Sequence, residues 1–350
     1  MTTNSKVLNL NAHSTKMFFG DEGPGICRYD VLRHTIFDTM DERMRALYWN
    51  PTEVDLSQDG ASFRKLSDSG QFAFTANLQR QIVFDSLQGR SPGIVFIPHC
   101  TDSSVENCWN DVAFFESIHS RSYTHIIKAV YPNPTAVIDA IPGIRELANC
   151  TNSITQAYDR MARSPNKENL YLALIAANAL EGLRFFPSFA TTFSFAERGD
   201  MEGSAKIVKM IARDELMHLA FISHILKRLP KDDPEFVQIM GDLRPQAIKI
   251  FDDTAEEEKA WQPYVFQHGN LMGMNEKIAC DYIDYLLPRR KSSAFLTTTN
   301  KFDSSNPIPW SDNWLTDSRS QPAPQEVEST AYLTSSLKND SSELNLDFEL

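Results

Sequence analysis

The chain has 350 residues, of which 42% are hydrophobic and 23% charged, so it can bury a large core and is too apolar to be disordered throughout. Forty-six acidic residues against 34 basic ones give a formal charge of −12, which argues against a nucleic-acid-binding protein. The five cysteines form no C-x-x-C pair, and neither a signal segment nor a membrane-length apolar run is visible. We therefore expect a cytoplasmic protein that binds neither membranes nor nucleic acid.

The chain is predicted to be all-α, because its 14 glycines are sparse and its apolar side chains recur with helical rather than alternating spacing. Residues 1–25 are expected to form an N-terminal extension, and residues 26–302 a helical domain. The predicted helices cover, in chain order, residues 29–48, 70–90, 104–131, 168–198, 201–228, 234–262 and 271–289.

Composition changes near residue 303, after which Pro, Ser, Asn and Asp dominate. Such a segment cannot bury enough apolar area to offset the entropy lost on ordering, so residues 303–350 are predicted to be a flexible tail. The last residues, 344–350, space four apolar side chains two apart. This spacing is compatible with a docking peptide that orders on a partner and also with a tail that only keeps the protein in solution.

Four predicted helices each carry an acid inside an apolar stretch: Asp85, Glu116, Glu181 and Glu215. Burying an unpaired carboxylate is costly even after the protein relaxes around it. Four such costs together would rival the net stability of a domain, which is roughly 5–15 kcal/mol. Either a positive charge holds these acids, or they are exposed.

The spacing of the acids indicates what holds them. The motif Glu-x-x-His occurs twice, and positions i and i+3 share one helix face, so carboxylate and imidazole can reach one metal ion. Each motif follows a lone acid by a similar distance, 31 residues (85 to 116) in one case and 34 (181 to 215) in the other. The residues form a first set, Asp85, Glu116 and His119, and a second set, Glu181, Glu215 and His218.

This arrangement is typical of ferritin-like di-iron and di-manganese helical bundles. Two divalent ions would neutralise the four carboxylates, and oxygen-rich ligation with one imidazole per ion suits iron or manganese. The ligand types do not distinguish the two metals. We therefore predict a dinuclear metal site inside a ferritin-like bundle with extra helices.

Tyr123 shares a helix face with the first set, because it lies four residues after the histidine and seven after the glutamate. Such a tyrosine is often ordinary core packing. Beside a redox-active metal pair it becomes a candidate for one-electron oxidation to a tyrosyl radical. A radical persists only in a dry, apolar surround, and the predicted walls of this pocket are Phe185, Phe189 and Ile211.

Several motifs, taken in order, carry a resemblance to a known family. They are YWNPTEVDLS, DSLQGRSP, ESIHSRSYTHI, NALEGLRFF, ERGDMEG, IARDELMHL, NPIPW and APQEVEST…Y. The chain resembles the radical-generating small subunit of class I ribonucleotide reductase, most strongly the iron-dependent class Ia type of bacteria and phages. The resemblance covers residues 26–350.

The resemblance implies roles for individual residues. The first set would hold one iron ion and the second set the other, with Tyr123 as the radical tyrosine. Trp49 and Asp214 match the family's electron-transfer pair beside the cluster, and Glu53 is a weaker match at the subunit interface. Tyr332 matches the tail tyrosine that relays the radical, and residues 344–350 match the peptide that docks on the large subunit.

The resemblance also implies the chemistry. Two iron ions per chain would react with O₂ to give a μ-oxo diferric cluster and a stable tyrosyl radical, with manganese less expected. The oxidising equivalent would pass to a cysteine of the large subunit, which reduces ribonucleoside diphosphates to deoxyribonucleotides for DNA replication. The chain would then be an oxidoreductase active only with the large subunit. The family further implies a homodimer.

The chain departs from some family members at a few positions, and two other functions are compatible with its sequence. Val112, Phe186 and the short stretch 151–168 differ from some family members, which affects the tuning of the metal environment and not the predicted ligands. One alternative is another ferritin-like di-metal protein: an oxidase, an acyl-chain desaturase or an iron store. A second is a helical interaction protein whose acids are surface charges and which binds no metal.

Overall fold

The structure is a computed structural model that describes residues 7–12, 16–20, 23–297 and 301–317. Within these ranges the chain forms helices and no β-strand beyond two isolated bridges, which confirms the all-α prediction. No helix among them is both long and apolar enough to cross a lipid bilayer. The helices are α1 (Thr35–Ala46), α2 (Asp59–Lys65), α3 (Asp68–Gln88), α4 (Ser103–Val130), α5 (Pro134–Asp139), α6 (Arg145–Asn149), α7 (Asn152–Arg163), α8 (Lys167–Ala179), α9 (Phe186–Ala196), α10 (Glu202–Asp232), α11 (Glu235–Asp242), α12 (Arg244–Val265), α13 (Glu276–Ser293) and α14 (Ser311–Asp317).

Four helical segments enclose the core that positions the site: α3, α4, α10 and the run formed by α8 and α9. Helix α3 packs against α4, and α10 packs against α4, α8 and α9. Side-chain caps define where three of these helices begin, because Ser67, Asp102 and Asn166 each accept a hydrogen bond from a backbone N–H of the first turn. A cap of this kind stabilises a helix by about 1 kcal/mol.

The helix predicted over residues 168–198 is interrupted by a π-helical segment, Leu180–Arg184, between α8 and α9. Pro187 explains the interruption, since it has no N–H to donate to the carbonyl of Leu183 and its ring crowds that carbonyl. A π segment inserts one extra residue per turn and is frequent at functional sites. Here it carries Glu181.

Arginine side chains stabilise this segment from two sides. Arg290 Nε donates to the carbonyl of Gly182 at 2.7 Å, and Arg80 Nη1 donates to the carbonyl of Arg184 at 3.3 Å. The buried carboxylate of Glu258 accepts hydrogen bonds from both Arg80 and Arg184. Two carbonyls of the irregular segment therefore have side-chain donors, and the arginine charges are partly balanced.

Other helix boundaries also differ from the predictions. The helix predicted over 234–262 is two helices, α11 and α12, and Pro245 stands in the first turn of the second. Proline favours the first turn of a helix because its missing N–H would have no partner there. The first and last predicted helices start later than expected, at Thr35 and Glu276.

Both predicted ends of the chain contact the helical domain within the described residues. Met17 and Phe18, in the expected N-terminal extension, are buried, and the backbone N–H of Met17 donates to Asp232 Oδ2 at 2.7 Å. In the expected tail, the ring of Trp314 stacks on Phe193 with 4.8 Å between ring centroids. The packed chain thus continues at least to Leu315, which is buried. Two predicted sites, Tyr332 and residues 344–350, lie outside the described residues.

Candidate metal centre

The structure brings all six predicted ligand residues together between α3, α4, the π segment and α10. Asp85 is 1% exposed and the other five are fully buried. This burial contradicts the alternative in which the acids are surface charges. The candidate ligands are Asp85, Glu116, His119, Glu181, Glu215 and His218.

Two overlapping groups of ligand atoms exist within this cluster, and in each the atoms lie within 4.8 Å of one another. One group is the first set itself. The other joins the second set with Glu116, which therefore belongs to both groups. A carboxylate in this position can bridge two ions, a role that the spacing along the chain did not reveal.

The two Glu-x-x-His glutamates lie between the two imidazoles. His119 Nδ1 is 3.2 Å from Glu215 Oε1, on the other motif, and 3.9 Å from Glu116 Oε2, on its own. His218 Nδ1 is 3.4 Å from Glu116 Oε1 and 3.0 Å from Glu215 Oε2. Both carboxylates thus face both imidazole nitrogens, so the two sets form one continuous centre.

The cluster disfavours full ionisation without added cations. Burial, and next the charge of Glu215, raise the pKa of Glu116 to about 8. Burial and the charge of Glu116 raise the pKa of Asp85, and burial and the charge of Glu181 raise the pKa of Glu215, both well above the ordinary range. Burial also acts against the ionised form of Glu181, but the neighbouring His218 imidazole and the hydrogen bond from the Gln88 amide help to outweigh it and lower its pKa.

The donor atoms of the centre fit a pair of divalent ions. Most of them are buried without a hydrogen-bond partner among the described residues, and an unsatisfied buried polar group costs roughly 1–3 kcal/mol. Cations would satisfy these atoms and balance the four carboxylate charges together. The unpartnered atoms of the six residues are both oxygens of Asp85, both oxygens of Glu116, Glu181 Oε2, Glu215 Oε1, His119 Nδ1 and His218 Nε2.

Tyr123 is fully buried next to this centre, and its hydroxyl has no hydrogen-bond partner within the described part of the chain. Burial, and then the charge of Asp85, raise the pKa of Tyr123 well above its usual value. The predicted pocket residues Phe185, Phe189 and Ile211 are all buried in the same hydrophobic core, and the two phenylalanine rings stack with centroids 5.7 Å apart. Their role as walls of a radical pocket stays a prediction.

A chain of hydrogen bonds joins Trp49 to the centre. Trp49 Nε1 donates to Asp214 Oδ2 at 2.8 Å, and the same oxygen lies 3.1 Å from His119 Nε2. Because the ionised carboxylate only accepts, it selects the tautomer with the proton on Nε2 and leaves Nδ1 facing the cluster. The link between Trp49 and Asp214 spans 165 residues of sequence.

Two functional residues were missed by the sequence analysis. Arg213 binds Asp214 Oδ1 through Nε at 3.0 Å and Nη2 at 2.9 Å, and it offsets the effect of burial so that the pKa of Asp214 falls. Gln88 donates a hydrogen bond from its amide to Glu181 Oε1. The available signals were weak: Arg213 adjoins Asp214, and Gln88 lies three residues after Asp85 on one helix face.

The two departures noted in the sequence, Val112 and Phe186, are both buried apolar side chains. The ring of Phe186 lies under the guanidinium of Arg290, whose Cζ is 4.8 Å from the ring centroid. Neither side chain carries a polar group that could bind a ligand carboxylate.

A helical bundle whose buried centre combines carboxylates and imidazoles from four helical segments defines the ferritin-like class of di-metal proteins. The chain belongs to the ribonucleotide reductase small-chain family, whose model it matches over residues 29–305. The family recognised in the sequence is therefore confirmed, and the chain is a small subunit of ribonucleotide reductase with a di-metal type of site.

Individual relatives agree with this assignment over nearly their whole length. The chain is 38% identical to the ribonucleoside-diphosphate reductase subunit beta of Buchnera aphidicola subsp. Schizaphis graminum, covering 97% of this chain and 96% of the relative. It is 35% identical to the ribonucleoside-diphosphate reductase 1 subunit beta of Escherichia coli O157:H7, covering 93% of each. The solved R2 subunit from Clostridium botulinum shares the fold, with a TM-score of 0.79 and 22% identity over 88% of this chain and 97% of that one.

Proposed function

We propose that this small subunit binds two iron ions, one at each of its two sets of ligand residues. It uses them with O₂ to oxidise Tyr123 to a stable radical. The radical equivalent then passes to the large subunit, where ribonucleoside diphosphates are reduced. One observation carries the proposal: six buried side chains with unpartnered donor atoms converge beside a buried tyrosine. Family membership favours this function over another ferritin-like oxidase, and it favours iron over manganese through the likeness to the class Ia type.

The residues of the chain have distinct tasks in this reaction. When bound, a pair of redox-active ions supplies the oxidising power that removes one electron from Tyr123. Loss of the electron also releases the phenolic proton, and the proposed acceptor is the neighbouring Asp85 carboxylate. Complete burial of the ring keeps water and reductants away from the radical.

Trp49, Asp214 and His119 are proposed to carry electrons between the centre and the protein surface. The two hydrogen bonds through Asp214 Oδ2 connect the indole to a candidate ligand, and Arg213 keeps the carboxylate ionised and oriented. The match of Trp49 and Asp214 to the family's electron-transfer pair supports this route. Glu53 and Tyr332 extend the proposed route toward the large subunit.

Asp214→Asn is expected to lower turnover of the holoenzyme about 10–100-fold while two iron ions still bind at saturating iron, because the neutral amide weakens the hydrogen-bonded link between Trp49 and His119. Deoxyribonucleotide formation and iron stoichiometry are the measurements. The matched control is Asp232→Asn, at the far end of the same helix, where the carboxylate pairs with Arg33 and His34 instead. Full turnover in Asp214→Asn would contradict the relay.

Deleting residues 344–350 is expected to leave the tyrosyl radical intact and to reduce turnover with the cognate large subunit to background. The deleted segment holds the proposed docking peptide and none of the metal-site residues. The measurements are deoxyribonucleotide formation and the radical signal of the same sample, with a synthetic peptide of these residues as a competitor of the full chain. Normal turnover of the truncated chain would refute the docking role, and a full chain that never supports turnover would refute the proposed function.

The homodimer and the cytoplasmic location rest on the family likeness and on the sequence, and they stay predictions.

A further inference from the structure

Gln88 occupies an unusual place, fully buried at the end of α3 between the metal centre and the outside of the bundle. Its amide nitrogen donates to Glu181 Oε1. Its amide oxygen accepts from the hydroxyl of Tyr158 at 2.8 Å and from Ser91 Oγ at 3.0 Å. Both ends of the amide are thus engaged, and one of them touches a candidate ligand.

The orientation of this amide follows from hydrogen-bond chemistry. An ionised carboxylate can only accept, so the NH₂ group of Gln88 must face Glu181. The amide oxygen then faces Tyr158 and Ser91, whose hydroxyls can both donate to it. The Glu181 carboxylate therefore fixes the orientation of the amide, because the reverse orientation would place the amide oxygen opposite it. The two hydroxyls stabilise this orientation by donating to the amide oxygen.

We propose that Gln88 is a positioning residue of the metal centre, which holds Glu181 so that one carboxylate oxygen is reserved for the metal. Oε1 is occupied by the amide, whereas Oε2 is unpartnered and lies 3.8 Å from His218 Nδ1, inside the cluster. The inference rests on the proposed metal centre. It assigns a single-oxygen ligand role to Glu181, in contrast to the bridging position of Glu116.

The position of Glu181 in the π segment makes such a support necessary. A glutamate side chain has three rotatable bonds, and this one projects from a widened turn rather than from a regular helix. Partners of metal ligands commonly fix the ligand orientation in this way. The support also separates solvent from the centre, because Tyr158 and Ser91 line a surface cavity of about 330 Å³.

The test is titration of the metal-free chain with Mn²⁺ alone, with free Mn²⁺ followed by electron paramagnetic resonance. The parent chain is expected to bind two ions per chain. In Gln88→Leu, one ion is expected to bind about 10–100-fold more weakly and the other with unchanged affinity, since only Glu181 loses its support. Tyr158→Phe keeps the ring but removes one donor to Gln88, so a smaller loss at the same ion is expected.

The matched control is Gln79→Leu, which removes another buried amide of α3, one that donates to the carbonyl of Val137 at 2.8 Å. It is expected to bind both ions as the parent does. Equal affinities in Gln88→Leu and Gln79→Leu would overturn the inference, as would a loss at both ions together in Gln88→Leu, which general destabilisation produces. If Gln88→Leu does not fold, an unchanged Tyr158→Phe overturns it. A parent chain that binds no Mn²⁺ would instead defeat the metal centre itself.

Discussion

Tyr123→Phe is expected to abolish the tyrosyl radical signal of the iron-loaded, O₂-exposed protein and to end turnover with the large subunit, while two metal ions per chain remain bound. Phenylalanine lacks the phenolic hydroxyl, so it cannot lose the proton and the electron that a tyrosine loses when it becomes a radical. The Tyr123 hydroxyl has no hydrogen-bond partner within the described residues, so its removal should not lower the free energy of unfolding of the metal-free chain and should raise it by up to about 1–3 kcal/mol. Electron paramagnetic resonance and iron analysis of one sample provide the measurement.

Tyr171→Phe is the matched control for this experiment. Tyr171 is buried like Tyr123, and burial raises its pKa to about 12, but Arg244 rather than the site carboxylates is the charge that acts on it. Its variant should keep the full radical signal. A signal that persists unchanged in Tyr123→Phe would show that another residue carries the radical.

Glu116→Ala is expected to remove both metal ions, which is the largest effect that a single ligand substitution can have here. Glu116 belongs to both groups of ligand atoms, so its loss leaves each ion short of one ligand and the pair without a shared carboxylate. The metal-free variant should unfold no more easily than the metal-free parent, because the substitution also removes a buried carboxyl with two unpartnered oxygens.

The measurement is the shift of the unfolding transition on adding Fe²⁺ without O₂. A metal concentration 100 times the dissociation constant stabilises a one-site protein by about 2.7 kcal/mol, and this gain should vanish in Glu116→Ala. Glu106→Ala, on the same helix and outside the cluster, should keep the gain. An unchanged iron stoichiometry in Glu116→Ala would count against a bridging carboxylate.

The convergence of the six site residues could be predicted, because in a helix the spacing of two residues along the sequence determines whether their side chains lie on the same face. Positions i and i+3 lie on one face, so each Glu-x-x-His motif predicts a carboxylate and an imidazole that can bind the same ion. Acids in apolar stretches needed a counter-charge, and the two matching motifs indicated that metal ions provide it. What spacing could not provide was the sharing of Glu116, since that depends on how α4 and α10 pack.

The sequence did not predict most contacts between distant parts of the chain. The contact of Trp49 with Asp214 was anticipated only through the family likeness, because no local pattern connects residues 165 positions apart. Gln88 was missed for the same reason, because it acts on Glu181 across a helix interface. Arg213 was missed although it adjoins Asp214, because spacing along the chain does not show that its side chain turns back onto that carboxylate. Polar residues of this kind look like ordinary surface positions in a sequence.

The irregular features of the fold also could not be predicted from the periodic spacing of apolar residues. The segment Leu180–Arg184 lies between two apolar helices and reads as a continuation of α8, so only Gly182 and Pro187 indicate a break. Composition likewise placed the start of the tail at residue 303, although Trp314 packs on α9. A few aromatic side chains can anchor a segment whose average composition is polar.

The most direct test of the account is a crystal structure of the iron-loaded chain, with anomalous scattering recorded at the iron absorption edge. The account predicts two peaks per chain, enclosed by α3, α4, the π segment and α10, with Glu116 in contact with both. The absence of a peak there, or a single peak away from the carboxylates, would contradict the di-metal centre and with it the proposed radical chemistry.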